Sequence, residues 1–258
     1  MPAPPRVLVV CEDRVVANLA ASILLKNGYR LLNTVKGGDE AILKTALNVP
    51  DLVLIDTNIA GTMDAIDTAH YLFQLFHVPV LFIAGANDGE KLNRLKYAQP
   101  YGVVFRPFVA SQILACAGLA LYAHADRLPA LGKPPVSDPR RMMEAENEAI
   151  IILDKRGRLL LLNTYASWMV DQPLEKAFMR HWRDVMMFVS DTTGEEIKDP
   201  VTDATKNMAG AIHDASTSLV TTTSKRRRIK LNVRPIHDTH DRLIAVIMMM
   251  KENKKTYL

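Results

Sequence analysis

The sequence predicts an α/β chain in two parts: an N-terminal doubly wound, five-stranded parallel sheet, then an α+β unit on a five-stranded antiparallel sheet. Three observations carry this. Between Arg6 and Ala125, short aliphatic runs alternate with helical patterns, the signature of βαβ units. From Arg127 to Pro139 periodicity stops, and four prolines and a glycine follow one another. From Ala149 onward the pattern turns to hairpins. These divisions place domains at 1–126 and 140–258, joined by a Pro-rich linker at 127–139, and 258 residues suit two domains of ordinary size.

The first strands are Arg6 to Val10, Arg30 to Val35, Leu52 to Ile55, Val80 to Ile83 and Gly102 to Phe105, all brief and aliphatic, as in strands buried on both faces. Val15, Val16, Leu19, Ala20 and Ile23 recur at helical spacing, and Gly28 ends that crossover helix. Ser111 to His124 closes the first unit as a further helix. In the second, Ala149 to Leu153 and Arg158 to Asn163 flank Asp154-Lys155-Arg156-Gly157, a hairpin turn with its glycine. A helical, Met-rich stretch extends to about His213, and strands follow at Leu219 to Thr223, Ile229 to Pro235 and Leu243 to Met250.

Composition narrows the function. With 48% hydrophobic and 23% charged residues the chain is ordinary globular protein. Its net charge of +4 is concentrated in Lys225-Arg226-Arg227-Arg228, placed at a solvated hairpin tip, so no nucleic-acid partner is expected. Two cysteines, Cys11 and Cys116, make neither a disulfide framework nor a metal-ligand spacing and fit a reducing cytoplasm. Neither a secretory leader nor a membrane span is legible.

Carboxylates fall at the C-terminal ends of two strands: Glu12 and Asp13 after the first, Asp56 after the third. Open α/β sheets keep their ligand crevice there. Three converging carboxylates call for a hard cation, and Mg²⁺, an oxygen-seeking octahedral ion, suits them, with Asp56 as nucleophile.

Val9-Val10-Cys11-Glu12-Asp13, Leu52-Val53-Leu54-Ile55-Asp56 and Phe105-Arg106-Pro107-Phe108 together resemble the response-regulator receiver family, over roughly the first half of the chain. The resemblance implies a flavodoxin-like fold and Mg²⁺ held by Glu12, Asp13, Asp56 and the Asn58 carbonyl. It also implies phosphoryl transfer to Asp56 from a histidine kinase or phosphotransfer protein. Three positions depart from the family. Ala84 lacks the hydroxyl that contacts phosphoryl oxygen, Arg106 replaces a lysine at the phosphate contact, and Val103 replaces a switching aromatic. Two readings stay open: a phosphoacceptor, and a pseudo-receiver that docks without phosphorylation.

The segments Ala149 to Asn163 and Arg234 to Met250 resemble a PAS domain, which implies helices cupped over the antiparallel sheet, self-association as a homodimer, and a core either filled or ligand-bearing. No cysteine lies beyond residue 116, which excludes covalent flavin photochemistry, and His213 as a haem ligand is outweighed by its reading as a lone loop histidine. No PAS ligand is expected. Gly37-Gly38-Asp39-Glu40 is read as a helix start rather than a cyclase signature. Neither an enzymatic output nor a helix-turn-helix is legible, so output would be delivered in trans to a downstream protein partner.

Overall fold

The computed structural model describes residues 3–85, 88–95, 98–130, 148–197, 199–206, 211–237 and 243–253. The chain divides into two compact units, Met1–Pro139 and Arg140–Leu258.

The first unit is a parallel sheet of β1 (Arg6–Val10), β2 (Arg30–Val35), β3 (Leu52–Asp56), β4 (Val80–Ala84) and β5 (Gly102–Phe105) in the order β2-β1-β3-β4-β5. β1, β3 and β4 are buried almost throughout, as expected. β2 is not, since as an edge strand it exposes Arg30, Asn33 and Thr34, and β5, the other edge, exposes Phe105. The helices are α1 (Arg14–Lys26), α2 (Gly38–Leu47), α3 (Ala65–Phe76), α4 (Gly89–Leu95) and α5 (Ala110–Ala130). Ala17, Ala20 and Leu24 of α1 and Ile113, Ala117 and Ala120 of α5 pack over Val7, Val9, Leu52, Leu54, Leu81 and Ile83, so small residues bring these helices close to the sheet. α2 and α3 pack against each other. Gly28, at φ 85°, ends α1 in the left-handed region, where the amides of Gly28 and Tyr29 reach back to the carbonyls of Leu25 and Leu24. α5 runs on to Ala130, into the first residues of the expected linker, and the rest of that segment lies outside the described residues.

The second unit is one antiparallel sheet of β6 (Glu148–Asp154), β7 (Leu159–Leu162), β8 (Met186–Ser190), β9 (Ala211–Thr221), β10 (Arg226–His237) and β11 (Leu243–Glu252), in the order β7-β6-β11-β10-β9-β8. The five-strand expectation is corrected to six, because Met186–Ser190, inside the stretch read as helical, pairs with Met186 opposite Thr221 and Ser190 opposite Thr217. Alternation is visible there in hindsight: Met186 and Phe188 are buried and Met187 is exposed, the period of a strand. Between β7 and β9 lie α6 (Thr164–Val170), α7 (Leu174–Ala177), a 3₁₀ turn at Trp182–Asp184, and α8 (Pro200–Lys206). Trp182, fully buried, stacks on Phe188 at 5.6 Å.

Two buried polar side chains set the local turns of this unit. Asp154 accepts from the amides of Arg156 and Arg158, both at 2.8 Å, and from Arg158 Nε at 2.7 Å, which closes the β6–β7 hairpin. Asn163 caps α6 through Ala166 N–H at 2.7 Å. It also accepts from Ile150 N–H and donates to the Glu148 carbonyl, so one amide ties the hairpin to the helix.

Candidate functional site

In the parallel sheet, neighbouring connections leave in opposite directions between β1 and β3, so a crevice opens at their C-terminal ends. Asp56, the last residue of β3, lies there and is 1% exposed. Its Oδ1 accepts the Asn58 amide at 2.8 Å and faces Arg106 Nη2 at 3.4 Å, while Oδ2 takes the Cys11 thiol at 3.6 Å. Burial pushes the Asp56 carboxyl above its ordinary range. The Asn58 amide and Arg106 oppose that push without cancelling it.

Around it stands a ring of charged groups that sequence patterns do not single out. Asp88 accepts from the Thr57 hydroxyl at 2.6 Å and the Gly85 amide at 2.7 Å, which hold its carboxyl below the usual range. Lys91 donates to the Asn58 side-chain oxygen and, at 3.4 Å, to the Thr57 carbonyl. Arg94 pairs with Asp64 at 2.9 Å, and Asp64 in turn caps α3 through the amides of Ile66 and Asp67. A cleft of about 250 Å³ is lined by Glu12, Thr57, Asn58, Asp64, Lys91 and Arg94, among others. Its signal in the sequence was only the short run Asp88 to Arg94, which has no motif.

The expected site residues separate into those the fold gathers and those it does not. Asp56, Asn58 and Arg106 meet, and Glu12 reaches the cleft. Asp13 instead serves as the N-cap of α1, its Oδ1 accepting Val15 N–H at 2.8 Å and Val16 N–H at 3.3 Å. Ala84 is fully buried at the end of β4, and Val103 is half-buried in β5. The residue beside Asp56 is Cys11, one position earlier than the carboxylates. β1 and β3 pair Val10 with Ile55, so the next residues of each strand, Cys11 and Asp56, become neighbours. Burial, then the Asp56 charge, push the Cys11 thiol up to about 12.

Cys11 makes this donor set a poor fit to Mg²⁺, leaving Glu12 and the Asn58 carbonyl as the expected oxygens beside Asp56. The ion takes hard oxygen ligands in near-octahedral geometry, and a protonated thiol stands where the second inward-facing group should be an oxygen. Among the described residues no group of three or more His, Cys, Asp or Glu side chains is placed to hold a metal.

In the second unit, the basic run at Lys225 to Arg228 leaves the β9–β10 turn and is largely exposed, as expected of a hairpin tip, and its charges are paired. Lys225 pairs with Asp171 at 2.8 Å, and Arg226 and Arg228 share Asp191 at 2.8 and 3.3 Å. Arg227 lies over the Trp168 ring at 3.9 Å and faces Glu252 at 3.6 Å. Each of the four cations thus has an acidic neighbour within the unit, while Lys225, Arg226 and Arg228 stay about half exposed. His213 belongs to β9, opposite Leu231, rather than to a loop, and its side chain lies outside the described residues. Met186, Met248 and Met250 are core residues.

Residues 7–117 match the family described as response regulator receiver domain. The transcriptional regulatory protein PdtaR of Mycobacterium tuberculosis (strain ATCC 25618 / H37Rv) is 25% identical over 120 residues, covering 46% of this chain and 58% of that protein. The uncharacterized transcriptional regulatory protein YbdJ of Bacillus subtilis (strain 168) is 29% identical over 111 residues, covering 42% of this chain and 47% of that one. The matched segment thus spans about half the length of these curated relatives. Among solved structures, the signal receiver domain of a modulated diguanylate cyclase from Desulfovibrio desulfuricans G20 is 29% identical, covering 47% of this chain and 96% of that chain at a TM-score of 0.45. The receiver domain of NtrX from Brucella abortus is 24% identical, with 45% and 98% covered and a TM-score of 0.43. The response regulator receiver match is thus confined to residues 7–117, within the N-terminal unit.

Proposed function

We propose that this receiver-bearing chain is a phosphorelay component that accepts a phosphoryl group on Asp56 from a histidine kinase or phosphotransfer partner. The observation that carries the reading is the place of Asp56: a buried carboxylate at the C-terminal end of β3, beside the turn in strand order, oriented by the Asn58 amide and facing Arg106. In the transfer an Asp56 carboxylate oxygen attacks the donor phosphorus. The new O–P bond forms as the donor's P–N bond breaks, and its electron pair leaves with the imidazole nitrogen. Three oxygens of the incoming group bring negative charge, which Arg106 is placed to meet.

The second unit is read as a PAS-like sensory or pairing module. Support comes from its order of two strands, a helical segment and a strand meander, with helices packed on an antiparallel sheet. A change at the receiver would alter its pairing with a second copy or its hold on a downstream protein. The chain would act without an enzymatic output of its own.

A second reading, a receiver that docks a partner without being phosphorylated, is favoured by the Cys11 thiol beside Asp56 and the missing hydroxyl at Ala84. Intact mass after incubation with acetyl phosphate separates the two. One added phosphoryl group in the wild type, absent in Asp56→Asn, supports the phosphoacceptor, and no uptake from acetyl phosphate or from a phosphorylated histidine phosphotransfer protein supports the docking reading.

A further inference from the structure

Resting on the phosphoacceptor reading, we propose that this receiver neither holds nor requires Mg²⁺, and that its own cations, Arg106 and Lys91, supply the positive charge for the phosphoryl group.

The β1–β3 register makes Cys11 the neighbour of Asp56, with Sγ 3.6 Å from Oδ2. A thiol is a soft ligand and a poor partner for a hard divalent ion. Asp13 cannot replace it while its Oδ1 caps α1 through two amides. Glu12, at the cleft wall, is exposed to solvent. Asp56 is therefore the one carboxylate buried at this corner among the described residues, and Glu12, which lines the cleft, would have to give up solvent to join it on an ion.

Cationic nitrogens border the site instead. Arg106 Nη2 lies 3.4 Å from Asp56 Oδ1, while its Nε is buried with no hydrogen-bond partner among the described residues. A buried guanidinium N–H without an acceptor is costly, and a phosphoryl oxygen on Asp56 would supply one. Gly85 leaves room for this arrangement, since a Cβ there would come within 3.6 Å of Arg106 Nη2 and 3.4 Å of Asp88 Oδ2. Lys91 Nζ sits on the loop that follows Asp56, bonded to the Asn58 side chain and to the Thr57 carbonyl. A metal drawing on backbone oxygen of that loop would meet this ammonium.

Two measurements on the full chain test the proposal. In a Mn²⁺ titration followed by electron paramagnetic resonance, wild type is expected to leave the free-ion signal unchanged, and Cys11→Asp to acquire a bound ion. A wild-type site that disappears in Asp56→Asn would overturn the proposal, whatever Cys11→Asp does. In phosphoryl uptake from acetyl phosphate, read by intact mass, the wild-type rate is expected to be equal in EDTA and in Mg²⁺. It should fall by roughly a hundredfold or more in Arg106→Gln, the scale of losing one charge-stabilising donor. Uptake confined to Mg²⁺ overturns the proposal and leaves the phosphoacceptor reading standing. Uptake in neither medium overturns the phosphoacceptor reading and the phosphoryl role of the two cations, and the Mn²⁺ titration still decides the metal.

Discussion

Asp56→Asn should make the receiver unit more stable at neutral pH. Asp56 is 1% exposed, and burial raises its carboxyl above the ordinary value of 3.8 despite the opposing Asn58 amide and Arg106. Substitution by the neutral isostere relieves a carboxylate desolvation penalty of several kcal/mol. Against this it gives up the charged share of the Asn58 bond at 2.8 Å and of the Arg106 pair at 3.4 Å, about 1 kcal/mol each. Arg106 keeps part of its solvation, being about a quarter exposed. The net is a gain of about 1–2 kcal/mol, or about 4–8 °C in the transition of a unit this size. The sign with pH follows from the raised folded-state value. The protonated form's stability is fully present below the unfolded-state value and is lost as pH rises through the folded-state one, so the advantage of Asn is largest at neutral pH and closes on acidification. Differential scanning calorimetry is the assay, because both tryptophans, Trp168 and Trp182, lie in the second unit and their fluorescence does not follow the receiver. An Asn variant that melts lower at neutral pH, or a gap that widens as pH falls, would refute the reasoning.

Two further outcomes are expected. Asp154→Ala removes the acceptor for Arg156 N–H, Arg158 N–H and Arg158 Nε at a buried position. It should cost the second unit about 3 kcal/mol, read as a lower urea midpoint in tryptophan fluorescence, and an unchanged midpoint would contradict the hairpin's dependence on it. Cys11, 2% exposed with its thiol pushed up to about 12, should resist an aromatic disulfide reagent in the native protein and react only on unfolding. Partly exposed Cys116 should react first, and equally fast reaction of both would show that the thiol is not held against Asp56.

Strand positions in the receiver were legible because each is a brief aliphatic run between turn signals, and a central parallel strand needs apolar residues on both faces. The edge strands broke that pattern, as Arg30, Asn33 and Thr34 show, since one side of an edge meets solvent. β8 escaped notice because Met186 to Ser190 is short and methionine fits helix and strand alike. Its membership is decided by pairing with β9, a contact distant in sequence. At the site, Asp56 and Arg106 were legible from their places at strand ends. The order Cys11-Glu12-Asp13 was not, because which of three consecutive residues faces Asp56 depends on the register between β1 and β3. A shift of one residue turned an expected carboxylate into a thiol and sent Asp13 to a helix cap. Lys91 and Asp88 were invisible because the loop geometry that brings them to Thr57 and Asn58 has no periodic signature.

The central claim is that Asp56 is the group that takes phosphoryl. Protein loaded with acetyl phosphate, reduced with borohydride and digested should yield a peptide across Leu52 to Thr62 in which position 56 is read as homoserine, the product of reducing an aspartyl phosphate. An unmodified aspartate at that position, or homoserine at another acid of the cleft such as Glu12 or Asp64, would contradict the account.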